Sequence, residues 1–298
     1  MQVRANGLSI EVEDSGPGAP LAPVLLVMGL GMQLIGWPDE FVNALVAAGH
    51  RVIRFDNRDI GLSQRLDRLG TPNLLWESMK LRMGMTVRSP YSLSDMAADG
   101  FGVLDALGIE KAHIVGASMG GMIAQHMALA QPQRVLTLTS IMSSSGARHL
   151  PGPKASVMQV LFSRPKDFSE PSLLAHFVRL FQAIGSPGFP TDPVQLRKTI
   201  LQAVRRGGYR PAGSTRQMAA IASDFGRAAQ LHRITAPTLV IHGSDDPLVP
   251  IACGEDTARR IPGARMVSIP GMGHDLPPGV VERILEPLVP HLRLGSEA

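Results

Sequence analysis

The chain has 298 residues, of which 44% are hydrophobic and 18% are charged, and its formal net charge at pH 7 is +4. This length and this apolar fraction suffice for one α/β domain with an insertion and a large buried core. The positive residues are scattered and form no basic tract interleaved with aromatic side chains. We therefore expect no nucleic-acid partner.

The sequence also gives no sign of membrane insertion or of secretion. No segment is apolar over the length that spans a bilayer, and the first six residues lack the apolar core of a signal peptide. We expect a cytoplasmic protein that does not bind membranes. Cys253 is the sole cysteine, so an internal disulfide bond is excluded, and the sequence leaves the oligomeric state unknown.

Short apolar runs alternate with helical segments along the chain. The predicted strands cover residues 8–12, 24–27, 52–55 and 135–141. A helix is predicted over residues 94–107, with Ser94 as its N-cap and Gly108 as its end. Alternating strands and helices indicate an α/β fold in which a mainly parallel sheet is covered by helices on both faces.

The most informative segment is a sharp turn between a strand and a helix. A strand-like run over residues 112–115 leads directly into Gly116-Ala117-Ser118-Met119-Gly120, and an apolar helical segment follows. Glycines lack a Cβ atom, so the backbone can bend tightly here and expose the serine hydroxyl. The N-terminus of the helix then points at the serine, where backbone N–H groups can stabilise an oxyanion. This setting predicts that Ser118 is the nucleophile of a hydrolase.

The alternation of strands and helices breaks over residues 144–232, called the insertion below. Prolines divide it into short helical pieces, including residues 172–184 and 194–206. We predict a helical cap over Ser118, inserted between two parts of the core, residues 1–143 and 233–298. Residues 69–90 are a candidate lip to the same pocket. Apolar candidates from the insertion to line the pocket are Met158, Leu161, Phe162, Phe177, Leu180 and Phe181.

A serine nucleophile needs a histidine base and a carboxylate that orients it. His274 ends a flexible loop that follows a predicted strand over residues 265–269, whereas His113 and His242 lie in or at the end of predicted strands and His126 lies in the helix after Ser118. His274 is therefore the predicted base.

Two adjacent carboxylates, Asp245 and Asp246, follow an apolar strand over residues 237–243. Neighbouring residues at a strand end point in different directions, so one of the two faces His274 and the other is expected to cap the turn over residues 247–250. Spacing alone leaves both open. Either choice gives the chain order serine, aspartate, histidine, which is that of α/β-hydrolases and differs from chymotrypsin-like and subtilisin-like proteases.

Several segments resemble the α/β-hydrolase superfamily, and in particular its aclacinomycin methylesterase group. They cover residues 27–29, 36–41, 52–56, 58–63, 116–120, 237–241 and 269–274. The resemblance implies Asp246 as the acid, since in that superfamily the acid usually lies three residues after the glycine that ends its strand. It also implies an oxyanion hole formed by the backbone N–H groups of Leu30 and Met119. Many relatives carry histidine where this chain has Met28, but a backbone donor does not depend on that side chain.

Two other motifs point to different chemistry. Gly29-Leu30-Gly31 follows a strand and Asp56 ends the next one, as in a dinucleotide-binding fold, but Leu34 stands where that fingerprint needs glycine or alanine. Asp56 and Arg58 are instead expected to tie down the loop that runs to Ser63. The run from Ser163 to Lys166 has serine–lysine acylase spacing, but it contains a proline and lacks partner motifs.

These observations predict a carboxylic ester hydrolase that needs no cofactor and no metal. It would act on a small or medium apolar ester through an acyl-enzyme, with Ser118, His274 and Asp246 as its triad. Two alternatives stay open: a non-hydrolytic enzyme of the same fold, such as a perhydrolase or a lyase, and a ligand receptor with little turnover.

Overall fold

A computed structural model describes residues 1–83, 85 and 87–294. Its strands are β1 (Gln2–Ala5), β2 (Leu8–Asp14), β3 (Leu21–Val27), β4 (His50–Phe55), β5 (Ala112–Ala117), β6 (Val135–Ile141), β7 (Thr238–Gly243) and β8 (Arg265–Ile269). They form one sheet in the order β1-β2-β4-β3-β5-β6-β7-β8. The pairs β1–β2 and β2–β4 are antiparallel, and all pairs from β4 to β8 are parallel.

Helices cover both faces of this sheet and fill the insertion. Those that precede β6 are α1 (Asp39–Ala47), α2 (Leu74–Arg82), α3 (Leu93–Ala106) and α4 (Met119–Ala130). Between β6 and β7 lie α5 (Ala155–Leu161), α6 (Glu170–Ile184), α7 (Pro193–Gly207), α8 (Pro211–Ala222) and α9 (Arg227–Gln230). The last two are α10 (Ile251–Arg260) and α11 (Pro278–Arg293). The predicted α/β fold, with a mainly parallel sheet flanked by helices, is confirmed.

The central strand β3 shows why the sheet is buried on both faces. Its residues 24–27 are all fully buried. Leu25 and Val27 pack into an apolar cluster with α3 and α4, whereas Val24 and Leu26 pack into a second cluster with α1 and α11. Because successive side chains of a strand point to opposite faces, a continuous apolar run is what a doubly covered strand requires.

The predicted N-cap of α3 is wrong. The helix begins at Leu93, and its N-cap is Ser92, whose side chain accepts a hydrogen bond from the Asp95 amide. Asp95 in turn accepts from the Ser92 amide, which completes a capping box. At the other end, Gly108 follows the helix with a φ of +68°, as predicted for a terminating glycine.

The insertion contains the five helices α5 to α9, so its predicted helical pieces are present as α6 and α7 with slightly wider bounds. Arg216 of α8 joins it to the core by a fully buried ion pair with Asp59. The division into two core parts and a cap remains a prediction, and residues 295–298 of the second core part lie outside the described residues. No helix within the described ranges is long and apolar enough to cross a membrane.

Candidate active site

Ser118 occupies the turn between β5 and α4 in a conformation that side chains rarely adopt. Its φ is +56° and its ψ is −121°. A Cβ atom on Gly116 would lie 2.1 Å from the carbonyl oxygen of Gly120, and one on Gly120 would lie 1.9 Å from that of Val27. The two glycines are therefore needed for the close approach of strand and helix, and the surrounding contacts hold Ser118 in a strained backbone conformation.

A continuous chain of hydrogen bonds joins Ser118, His274 and Asp246. The Oγ atom of Ser118 lies 2.9 Å from Nε2 of His274, and Nδ1 of His274 lies 2.6 Å from Oδ2 of Asp246. His274 and Asp246 are buried, whereas Ser118 is half-buried at the edge of a cavity. Ser118 and His274 are 156 residues apart in the chain, and Asp246 and His274 are 28 residues apart. The fold brings all three into direct contact. A serine, a histidine and a carboxylate in this arrangement can perform nucleophilic catalysis.

The two adjacent aspartates do not divide their tasks as the spacing suggested. Asp246 contacts His274 and also caps the turn, because its Oδ1 accepts from the amides of Leu248 at 2.9 Å and Val249 at 2.8 Å. The exposed Asp245 instead accepts from the Gly271 amide at 2.9 Å. The expectation that the aspartate away from His274 caps this turn is therefore wrong. The buried carboxylate of Asp246 both contacts His274 and caps the turn.

Asp245 nevertheless acts on the loop that carries His274. Hydrogen bonds from the Ser244 hydroxyl and then from the Gly271 amide lower the pKa of its carboxyl group. The ionised carboxylate is the better acceptor, so it helps to hold the start of the histidine loop.

The histidine loop is also fastened to the insertion. The His274 amide donates to the carbonyl of Ile184 at the end of α6, at 2.7 Å. The Gly273 amide donates to the hydroxyl of Ser186 at 2.8 Å, and that hydroxyl donates to Oδ1 of Asp275 at 2.5 Å. Burial raises the pKa of Asp275. Sequence reasoning missed Ser186 and Asp275, because their contact depends on how α6 packs on the core.

The loop after β3 runs beside the serine. A Cβ atom on Gly29 would lie 3.1 Å from Cβ of Ser118, so this loop and the serine turn are in close contact. Within the described part of the chain, neither the Leu30 nor the Met119 N–H donates to another protein group. The carbonyl of Met28, the position at which this chain departs from many relatives, accepts from the side-chain amide of Asn57 at 2.8 Å.

Ser118 and His274 open into a cavity of about 380 Å³ between the core and the insertion. Of the predicted lining residues, Leu161, Leu180 and Phe181 lie on this cavity, whereas Met158, Phe162 and Phe177 do not. The cavity is largely apolar, and its lining includes six methionines: Met28, Met32, Met119, Met122, Met142 and Met218. No described residue of the segment 69–90 lines it, so the predicted lip is wrong for the part of that segment that the structure describes.

Cys253 also lines this cavity and is 3% exposed. Burial raises the pKa of its thiol. A thiol with a raised pKa is a weak nucleophile, which agrees with its expected role as a packed residue.

The other histidines considered from the sequence have partners elsewhere. His126 lies 3.2 Å from the Ser94 hydroxyl and 2.8 Å from Asp224, His113 lies 2.9 Å from the hydroxyl of Thr137, and His242 lies 2.7 Å from the carbonyl oxygen of Val249. None of these three bonds Ser118, so His274 is the base candidate that the structure brings to the serine.

The two rival motifs lack the context that their chemistry needs. Asp56 is fully buried and accepts from the amides of Leu34 and Leu62 and from Arg206, so it stabilises the loop to residue 63 as expected. Arg58 pairs with Asp99 rather than with that loop. Ser163 lies between α5 and α6, outside a helix start.

Comparison with known proteins agrees with the fold and with the predicted resemblance. The family model described as the α/β hydrolase fold matches residues 22–277. Rhodomycin D methylesterase DnrP of Streptomyces peucetius is 33% identical, over 95% of each chain. Poly(3-hydroxyalkanoate) depolymerase of Ectopseudomonas oleovorans is 32% identical, over 84% of this chain and 77% of its own.

A solved structure shows the same architecture. The meta-cleavage product hydrolase CumD of Pseudomonas fluorescens IP01 matches 98% of this chain and 97% of its own with a TM-score of 0.73 at 22% identity. The chain belongs to the α/β hydrolase family. Its predicted resemblance to the methylesterases of that family is likewise confirmed.

Proposed function

We propose that the protein hydrolyses carboxylic esters through a covalent acyl-enzyme on Ser118. The observation that carries this proposal is the hydrogen-bonded chain from Ser118 through His274 to Asp246, which opens into an apolar cavity. The rhodomycin D methylesterases, similar over 95% of the chain, support ester hydrolysis as the reaction type.

In the first half of the reaction, Oγ of Ser118 attacks the carbonyl carbon of the ester while Nε2 of His274 takes the hydroxyl proton. The electron pair of the C=O bond moves to the oxygen, and the N–H groups of Leu30 and Met119 bind the resulting oxyanion. When the C=O bond re-forms, the bond to the alcohol breaks, and the alcohol leaves with the proton from His274. Ser118 is then acylated.

In the second half, water attacks the acyl carbon and gives a proton to His274. Collapse of the second oxyanion breaks the bond to Ser118, which regains that proton, and the carboxylic acid leaves. Asp246 holds the imidazole in the tautomer that presents a free Nε2 to Ser118 and stabilises the imidazolium formed in each half. The backbone amides of Leu248 and Val249 fix this carboxylate in place.

The cavity sets the class of ester. Its volume of about 380 Å³ and its largely apolar lining favour a small or medium apolar ester. Leu180 and Phe181 of α6 and Met218 and Ile221 of α8 all line it. We therefore assign the insertion as a cap that shapes the substrate pocket.

A panel of p-nitrophenyl esters of increasing acyl length tests this function. We expect p-nitrophenol release to continue over many turnovers and to fall for the longest acyl chains, because the cavity has a volume of only about 380 Å³. Release of one equivalent followed by arrest would favour a low-turnover receptor. Absence of release from every ester of the panel would contradict ester hydrolysis.

A further inference from the structure

The insertion contacts the loop that carries the proposed oxyanion donor Leu30, and one of these contacts is made by a fully buried side chain. Oε1 of Gln217, on α8, accepts from the Gly31 amide at 2.9 Å. Nε2 of the same side chain donates to the carbonyl of Arg58 at 3.0 Å. Gln217 is 0% exposed, and both ends of its carboxamide are used to join two loops of the core.

The loop around Leu30 is a β-turn that this contact stabilises. The Met32 amide donates to the carbonyl of Gly29 at 3.3 Å, and Gly31 has a φ of +69°, which suits the third position of such a turn. On one side Gly29 packs against Ser118, and on the other a Cβ atom on Gly31 would lie 2.9 Å from Oγ of Ser214. The turn therefore lies between the serine and α8.

The backbone N–H groups of this turn differ in whether they already have a hydrogen-bond acceptor. Gln217 occupies the N–H of Gly31, and the carbonyl of Gly29 occupies that of Met32. The N–H of Leu30 has no acceptor among the described residues. The carboxamide of Gln217 therefore fixes the peptide group between Leu30 and Gly31. The Leu30 N–H belongs to the neighbouring peptide group, and it is the one of these three N–H groups that can bind an oxyanion.

The neighbours of Gln217 explain how α8 can hold the turn firmly. Arg216 forms a buried ion pair with Asp59. Its Nε atom lies 2.8 Å from Oδ2 of Asp59, and its Nη2 atom lies 2.7 Å from Oδ1. Gly213 lets the helix approach closely, because a Cβ atom there would lie 2.5 Å from the carbonyl of Asp59. On the other side of Gln217 in sequence, Met218 lines the cavity.

We propose that Gln217 is a positioning residue that holds the Gly29–Met32 turn so that the Leu30 N–H points at the oxyanion. This inference rests on the proposed function, since it assigns a support to its oxyanion hole. It makes the insertion part of the catalytic geometry as well as a wall of the pocket.

Replacement of Gln217 by methionine tests the proposal, because methionine has a similar shape but no hydrogen-bonding amide. Loss of a whole oxyanion donor costs about 10²–10³ in kcat, and here the donor is displaced rather than removed, so we expect kcat to fall roughly 10- to 100-fold. KM should change little, because the apolar cavity is intact. The rate at which a fluorophosphonate probe labels Ser118 should fall in parallel, since its phosphoryl oxygen uses the same donors.

Gln125→Met is the matched control. Gln125 is also 0% exposed and hydrogen-bonded, to Arg227 and Ser140, but it forms no hydrogen bond with the turn. We expect this variant to lose stability while keeping kcat and the labelling rate close to wild type. If Gln217→Met does not fold, Gln217→Asn gives the same test, because it retains the amide but is too short to reach both partners.

A folded Gln217 variant with wild-type kcat and labelling rate would overturn the proposal, as would an equal loss in Gln125→Met. Failure of the proposed function looks different, because the wild-type protein would then turn over no ester. Fluorophosphonate labelling of Ser118 would still compare the Gln217 variants in that case.

Discussion

Asp246→Asn is the substitution for which the structure fixes both the direction and the cause of the effect. Oδ1 of Asp246 accepts from the two amides of Leu248 and Val249, and Oδ2 faces Nδ1 of His274. In asparagine, only the carbonyl oxygen can accept from those two amides. The NH₂ group must therefore face His274.

An NH₂ group at that position donates to Nδ1 of His274 and moves the imidazole proton to Nε2. Nε2 then carries a proton and cannot take one from Ser118, 2.9 Å away. The same exchange in a serine protease lowers kcat by ~10⁴, which corresponds to about 5.5 kcal/mol in the activation free energy. We expect a loss of that order, with KM less affected.

Asp245→Asn is the matched control for this experiment. Asp245 is exposed, accepts from Gly271 and does not contact His274, so its amide should reduce the melting temperature slightly and leave most of kcat. Steady-state kinetics on one p-nitrophenyl ester, together with melting curves for both variants, separates the two roles. A larger loss of kcat in Asp245→Asn than in Asp246→Asn would refute the assignment of the acid.

Three further predictions concern stability and metal dependence. Burial, together with the nearby His50 and His291, lowers the pKa of His113 from 6.5 to about 3. Between these pH values His113 is protonated in the unfolded chain but neutral in the folded protein. The free energy of unfolding therefore falls as the pH drops from 6.5 towards 3, by up to about 5 kcal/mol. Urea unfolding across that range should show the slope in wild type and a flatter one in His113→Gln; equal slopes would contradict it. Gly120→Ala should lower the free energy of unfolding by about 3 kcal/mol or more, because its Cβ would lie 1.9 Å from the carbonyl of Val27, and a wild-type melting temperature would argue against the tight turn. Incubation with EDTA should leave ester turnover unchanged, since the proposed triad uses no metal, and inactivation reversed by added metal would point to another catalyst.

The parts of the site that the sequence predicted are those set by local geometry. The turn around Ser118 could be recognised because two glycines, a strand and a helix follow one another within a few residues. The choice between Asp245 and Asp246 could not be made in this way, since both side chains have the reach and chemistry for either task. The cap of α3 failed for a similar reason, because Ser92 and Ser94 are both good N-caps and the capping box with Asp95 selects the first.

Two contacts that hold the loops of the site could not be predicted from the sequence. Gly31 and Gln217 are 186 residues apart, and Ser186 meets Asp275 across 89 residues. A glutamine in the middle of a helix carries no local signal that it will be buried on a loop of the core. The roles of Leu30 and Met119 as oxyanion donors came from family resemblance and remain predictions.

The central claim is that Ser118 is the nucleophile, and replacement by alanine tests it most directly. Ser163→Ala serves as the control, since Ser163 belongs to the rival serine–lysine motif and lies outside the cavity. We predict that Ser118→Ala lowers kcat/KM for a p-nitrophenyl ester by ~10³-fold or more while its melting temperature stays near that of wild type, and that Ser163→Ala keeps its activity. Wild-type turnover by a correctly folded Ser118→Ala protein would contradict the mechanism.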